Sequence, residues 1–209
     1  MSNNSLPKNS RVNLTVLKES YKMTTKQLRS IYQIKISLIG AKPPIWRTFL
    51  VPSDLRLDVF HDVIQIVMGW RNCHLHQFIQ NNVFYGIPDD EFGMEIENEA
   101  KFKLFHLLKK EKDTIKYEYD FGDSWEHKIL LEKIFPFDTK TALPVCIKGK
   151  RACPPEDCGG IWGYEELLET ISNPKHPDHE DMLEWLGGEF DPEEFDLEEV
   201  NGDLAKYCR

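Results

Sequence analysis

Cysteine is scarce and odd in number, with Cys73, Cys146, Cys153, Cys158 and Cys208 the only five among 209 residues. An odd handful of thiols in a chain of this size argues against a disulfide framework and for a reducing compartment, so a cytoplasmic protein is expected. No apolar run approaches the roughly 20 residues of a membrane span. The opening stretch, Met1 to Lys8, lacks the apolar core of a secretory signal. Internal repeats and low-complexity tracts are missing too. So are the G-x-S-x-G elbow, the Walker A sequence and the dinucleotide fingerprint, which disfavours serine-hydrolase, phosphate-loop and Rossmann functions. Basic residues are few where a nucleic-acid surface would need them. Residues 150–209 hold five Lys/Arg against seventeen Asp/Glu, and such a surface repels phosphate.

The rest of the charge is distributed differently. The chain carries −9 overall. Residues 1–30 hold six Lys/Arg and one acid. Residues 1–29 therefore read as a flexible basic leader, with a short helix near Lys18 to Arg29, and residues 30–209 as one domain ending in an acidic helical part. With 41% hydrophobic and 29% charged residues, the composition is that of a globular protein long enough to fold without disulfide or metal.

Periodicity then sets the elements. Tyr32, Ile34, Ile36 and Leu38 alternate with polar residues, the pattern of a half-buried strand. Gly40 to Pro44 breaks it, and Ile45 to Val51 predicts a second strand. Phe60, Val63, Ile64 and Val67 have helical spacing over 55–69, with Gly69 as C-cap. Leu75 to Tyr85 is expected as one strand, Asp89 to Glu99 as a loop, and Lys101 to Lys110 as a short helix. Ile115, Tyr117, Tyr119 and Phe121 share a strand face, turned at Gly122-Asp123 into a returning strand from Trp125 to Ile134. Residues 136–162 read as loop. Helices follow around Tyr164 to Ile171 and Asp178 to Leu186, and Asp191-Pro192-Glu193-Glu194 predicts the opening of another. The expected fold class is α+β: a mixed, mostly antiparallel sheet, as a roll or open-faced sandwich, with segregated helices and a helical C-terminal part.

Two motifs bear on chemistry. His74-Leu75-His76 places both imidazoles on one face if the segment is extended, where they could meet one metal. The alternative is a pair of half-buried histidines satisfied by backbone carbonyls. Asp120-Phe121-Gly122-Asp123-Ser124-Trp125-Glu126-His127 adds two carboxylates and a third imidazole around a glycine turn. His74, His76, Asp123 and His127 form a candidate ligand set for zinc or a similar divalent metal, with Asp120 or Glu156 as orienting group or general base. Against this, the aspartates could simply accept backbone amides of the turn. His127 shares parity with Trp125, Ile129 and Leu131, the pattern of a core histidine. Cys146, Cys153 and Cys158 offer a weaker zinc candidate without an obvious fourth ligand. Glu156-Asp157 could instead cap the helix beginning near Trp162.

Several of these segments occur together and in order: Pro43-Pro44-Ile45-Trp46-Arg47, His61 with Met68-Gly69-Trp70, His74-Leu75-His76-Gln77-Phe78, Tyr119 through His127, Arg151-Ala152-Cys153-Pro154-Pro155-Glu156-Asp157, and Phe190-Asp191-Pro192-Glu193. Together they resemble the plasmid pRiA4b ORF-3-like family over residues 30–203. The resemblance implies an α+β fold and assigns no activity. Some members are described as resolvase-like passengers of insertion elements. A serine resolvase, however, needs a nucleophilic serine among arginines and a basic C-terminal DNA-binding helix pair, which this chain lacks.

Two functions from different classes are therefore expected. One is a binding or interaction module, encoded near mobile elements, meeting a protein partner through its acidic C-terminal region. The other is a metal-dependent hydrolase or nuclease-like enzyme built on the His/Asp cluster. Nucleic-acid binding would rest only on the basic leader and on Trp46 and Trp70, whose apolar neighbours place them in the core.

Overall fold

The structure, a computed structural model, describes residues 29–88 and 95–208. The helix expected near Lys18 to Arg29 therefore lies almost wholly outside the described residues. Eight strands form one sheet in the order β5-β4-β3-β6-β7-β1-β2-β8. They are β1 (Ser30–Leu38), β2 (Trp46–Pro52), β3 (His76–Gln80), β4 (Val83–Gly86), β5 (Ile96–Asn98), β6 (Thr114–Tyr119), β7 (Trp125–Pro136) and β8 (Val145–Lys150). Every pairing is antiparallel except β4 with β5. The helices are α1 (Leu57–Met68), the one-turn α2 (Leu104–Leu107), α3 (Gly160–Ser172), α4 (His179–Leu186) and α5 (Leu197–Tyr207). The α+β class with a mostly antiparallel sheet is the fold observed. No helix among the described residues is long and apolar enough to cross a membrane.

The core lies between α1 and the sheet. Tyr32, Ile34, Ile36 and Leu38 of β1 are buried, as their alternation requires, and meet Ile129 and Leu131 of β7. Helix α1 buries Leu57, Phe60, Val63, Ile64, Val67 and Met68. Phe60 sits between Phe49 of β2 and Phe78 of β3, with ring centroids at 6.1 and 5.8 Å. Gly69 ends the helix at φ 96, a left-handed conformation that glycine adopts without steric cost.

Several expected boundaries move. The single strand from Leu75 to Tyr85 is a hairpin, β3 and β4, turned by Asn81 and Asn82 at φ 51 and 63. Asparagine tolerates that region, so the pair acts as a two-residue turn. Within the presumed loop 89–99, Ile96–Asn98 forms β5, while residues 89–94 lie outside the described residues. Lys101 to Lys110 yields only α2, after one 3-10 turn at Glu99–Lys101. The presumed loop 136–162 contains β8, an edge strand whose short run Val145–Lys150 is fixed by pairing with β2 rather than by its own periodicity. Asp191 makes only a local turn, accepting from the Glu193 amide. The helix starts later, at α5, where Asp196 accepts from the amides of Glu198 and Glu199.

Three imidazoles, those of His61, His76 and His127, are enclosed in this core. His127 is fully buried between Trp70 and Tyr117, and among the described residues neither ring nitrogen reaches a hydrogen-bond partner. Burial lowers it to about 4, with the nearby backbone of Trp125 and Tyr117 opposing in part. His61 of α1 is likewise lowered to about 4, by burial first and then by His76, against the opposing hydrogen bond to Asn72. Because both folded values lie below the unfolded one near 6.5, the unfolded chain takes up these protons first as pH falls. Stability is therefore full above about pH 6.5, drains away down to about pH 4 and levels off below, each histidine being worth on the order of 3 kcal/mol. Urea denaturation across that window should show this slope, and His127→Leu should flatten about half of it.

Candidate functional site

Three loops converge beside the start of β3. The first is the segment after α1. There Asn72, at φ 55, donates its backbone amide to Gln65 Oε1, and its Oδ1 accepts from His61 Nε2 at 2.7 Å. These bonds tie the turn to α1 and present Cys73 and His74. The second is the β6–β7 turn. Asp120, at φ 55, donates its amide to the Leu75 carbonyl. Its Oδ1 accepts from the amides of Gly122, at 2.9 Å, and Asp123, at 3.4 Å. Its other oxygen, Oδ2, is left facing His74. The third is the loop after β8, which brings in Glu156 and Asp157.

The third loop is fastened to the second at one place. Asp123 Oδ2 accepts from the Gly159 amide at 3.0 Å. Gly160 stands at φ 68 with so little room that a Cβ would lie 2.5 Å from the Asp123 carbonyl oxygen. Only glycine allows α3 to start this close to the turn. The expected capping of α3 by Glu156 or Asp157 is not what the structure has: Gly159 is the N-cap and no side chain caps it. Glu156 points the other way, where its Oε1 accepts from the Arg71 amide at 2.7 Å and from the Tyr119 hydroxyl at 3.2 Å. Burial pushes the Tyr119 hydroxyl well above the ordinary phenol range, and Glu156 adds to that, so it stays protonated and donates.

At the meeting point, His74 Nε2 lies 3.3 Å from Asp157 Oδ1, 3.7 Å from Asp120 Oδ2 and 3.7 Å from Glu156 Oε2. None of the three contacts has hydrogen-bond geometry, and among the described residues His74 Nε2 and Glu156 Oε2 are both buried without a partner. The Asp120 and Glu156 side chains are each 10% exposed, whereas Asp157 is 68% exposed and forms the open side. Potential ligand atoms of His74, Asp120 and Asp157 all lie within 4.8 Å of one another, as do those of Cys73, His74 and Glu156. Two ligands each about 2 Å from one ion stand roughly 3 to 3.5 Å apart, so the spacing suits a divalent cation. It suits the carboxylates poorly without one, since three like charges surround a single imidazole.

The expected ligand set is divided by this geometry. His74 is in the cluster, and Asp120 and Glu156, expected as orienting group or base, stand beside it. His76 is turned into the core instead, where its Nε2 meets Glu99 Oε2 at 2.9 Å and its ring stacks on His61 at 3.4 Å. His74 precedes β3 and is not part of it, so the i, i+2 parity that would have aligned the two rings does not apply. Asp123 is committed to the Gly159 amide, and His127 is core. Among the described residues, Cys146, Cys153 and Cys158 do not meet in a metal-ligating group. Burial pushes the thiol of Cys146 up to about 11 and that of Cys158 up to about 12, so both stay protonated. Sequence reasoning passed over Asp157, Cys73 and Tyr119. Adjacency to named motif residues was the only signal for them.

Arg47 holds two of the three loops. Its side chain is buried, donating from Nε to the Val67 carbonyl at 2.8 Å and from Nη1 to the carbonyls of Lys150, at 2.9 Å, and Trp46, at 3.0 Å. Phe195 covers its guanidinium at 4.3 Å.

The chain matches the family model described as plasmid pRiA4b ORF-3-like protein over residues 30–199. It is 38% identical over 189 residues to the uncharacterized protein y4hQ of Sinorhizobium fredii, an alignment covering 86% of this chain and 95% of that protein. It also superimposes on the crystal structure of MM3350, a protein of unknown function from Methanosarcina mazei Go1. That match has a TM-score of 0.76 at 40% identity, covering 84% of this chain and 98% of the other.

Arg47→Lys should destabilise the protein by about 2–3 kcal/mol in chemical denaturation, because one ammonium cannot serve three divergent carbonyls. Arg47→Met should cost at least as much.

Proposed function

The chain belongs to the plasmid pRiA4b ORF-3-like family, and within it we propose a divalent-metal-dependent hydrolase of the cytoplasm, acting through the cluster around His74. One observation carries this reading: a buried imidazole nitrogen and three carboxylates converge with spacing suited to a cation, and two of those atoms have no other partner among the described residues. His74, Asp120 and Asp157 would hold the ion, leaving a coordination position open on the side of Asp157. Cys73 stands near enough to favour zinc or a metal of similar softness. A bound ion there would supply Lewis acidity and a water of lowered pKa. Glu156 would be the general base, its Oε2 free to accept a proton while Oε1 is held by Tyr119 and Arg71. A cleft of about 440 Å³, bordered by Arg71, Glu156, Asp157 and Phe190, gives a substrate room beside these groups. The five free cysteines agree with a reducing compartment.

A second reading is a binding module that meets a protein partner through its acidic C-terminal region, with a link to mobile elements in keeping with the plasmid origin of the family's name. It draws on the charge of residues 150–209, five Lys/Arg against seventeen Asp/Glu.

Calorimetric titration with Zn²⁺ separates the readings. Stoichiometric binding is expected in the parent protein and in His76→Gln, which keeps a donor for Glu99, and should weaken by about tenfold or more in His74→Ala. Equal binding by His74→Ala, or none by the parent protein, would sink the metal centre. With p-nitrophenyl acetate as reporter of activated water, Glu156→Gln should retain zinc and lose about 100-fold in rate. Metal binding without turnover would leave the binding module as the better account.

A further inference from the structure

Helix α4 is unusual in burying none of its side chains, although it carries Met182, Trp185 and Leu186. Trp185 is 51% exposed. This apolar face is turned toward α3 and bounds a groove of about 350 Å³, lined among others by Asp157, Glu166, Leu167, Asp178, Met182 and Trp185. The groove has an apolar floor in Leu167, Met182 and the tryptophan ring, and a rim of three carboxylates. Among the described residues no lysine or arginine lines it. Its surroundings reinforce the sign: residues 157–189 hold nine Asp/Glu and a single cation-bearing Lys175. The histidines nearby are engaged, His179 Nδ1 with the Thr170 carbonyl at 3.1 Å and His176 Nδ1 accepting from the Asp178 backbone amide at 3.3 Å.

We propose that the α3–α4 groove is a docking site for a peptide segment bearing a lysine or arginine. Such a side chain combines an apolar stem with a cationic head. The stem matches Leu167 and Met182, the head matches the Trp185 face and the carboxylates of Glu166 and Asp178. The volume lies at the small end for ligand sites, right for one anchoring side chain and its adjoining backbone. Charge complementarity decides the occupant. A nucleic acid or an anionic peptide would face three carboxylates without a counter-charge, and an apolar helix would strand those carboxylates against itself. Asp157 and Trp185 also line the cleft beside His74, so a docked peptide would continue toward that centre. This last step rests on the hydrolase reading, whereas the docking does not.

The test uses the full chain in EDTA, where no metal contributes, and a fluorescent hexa-arginine peptide followed by anisotropy at low salt. Trp185→Ala and the pair Glu166→Gln/Asp178→Asn should each weaken binding by about fivefold or more. Two controls match them outside the groove. Trp162→Ala removes an 82% exposed tryptophan from α3, and Glu198→Gln/Glu199→Gln removes the same charge from α5. Both should leave binding unchanged. Absence of binding, or equal weakening by groove and control variants, would overturn the proposal. Peptide binding that survives in His74→Ala while zinc binding is lost supports the docking site independently of the metal centre. Zinc binding without peptide binding overturns the docking alone.

Discussion

Arg47 is the buried cation on which the arrangement around His74 depends. It has no carboxylate partner among the described residues, so backbone carbonyls take that place. Val67 lies in the last turn of α1, where carbonyls lack intrahelical partners and the helix presents negative charge. Lys150 ends β8. One guanidinium therefore fixes the point where the chain leaves α1 for Cys73 and His74, and the point where it leaves β8 for Glu156 and Asp157. Burial lowers its proton affinity, yet the ordinary value is so high that the charge remains. A planar fork with donors in divergent directions can do this, and a point charge on a flexible stem cannot.

The β6–β7 turn reaches the same place by a different device. Asp120 adopts a left-handed conformation that its own carboxylate stabilises, spending one oxygen on the turn and leaving the other for His74. Asp123 then catches the Gly159 amide, and Gly160 permits the close approach. All the side chains that converge on His74 are thus carried by loops, each pinned at its base to the sheet or to α1. Loops tolerate the irregular backbone that convergence needs, while a fixed scaffold keeps the geometry. Beneath them lies a wholly different polar layer, His61, His76, Glu99, Gln65, Asn72 and Tyr117, in which each member has a partner. That satisfied layer supports the loops. The cluster above it keeps two buried atoms unpaired.

How far the sequence spoke for itself varied with the origin of each feature. Where burial of one face was the cause, periodicity was enough: β1, α1 and the β6–β7 hairpin lie where alternation and helical spacing put them, except that β6 ends at Tyr119 and Phe121, expected on its buried face, is exposed in the turn. Where pairing with a distant strand was the cause, it was not. Strand β8 exists because β2 offers an edge, and β5 because β4 does. The Asn81-Asn82 turn was hidden because the apolar run on either side reads as continuous. For the candidate site, the motifs were visible and their division of labour was not. Parity correctly placed His127 in the core, but it paired His74 with His76 by assuming a strand that begins two residues later.

The amino-acid order alone therefore determined the α+β class, the core faces of β1 and α1, the acidic C-terminal third and the presence of a His/Asp-rich pair of motifs. These follow from local spacing and from composition, both of which act over a few residues. Only the tertiary structure decided that His74 faces Asp120, Glu156 and Asp157 while His76 faces Glu99. That choice depends on where three loops, separated by tens of residues, leave their scaffold. No local rule carries that information, because the carbonyls that hold Arg47 become neighbours only after the sheet has formed.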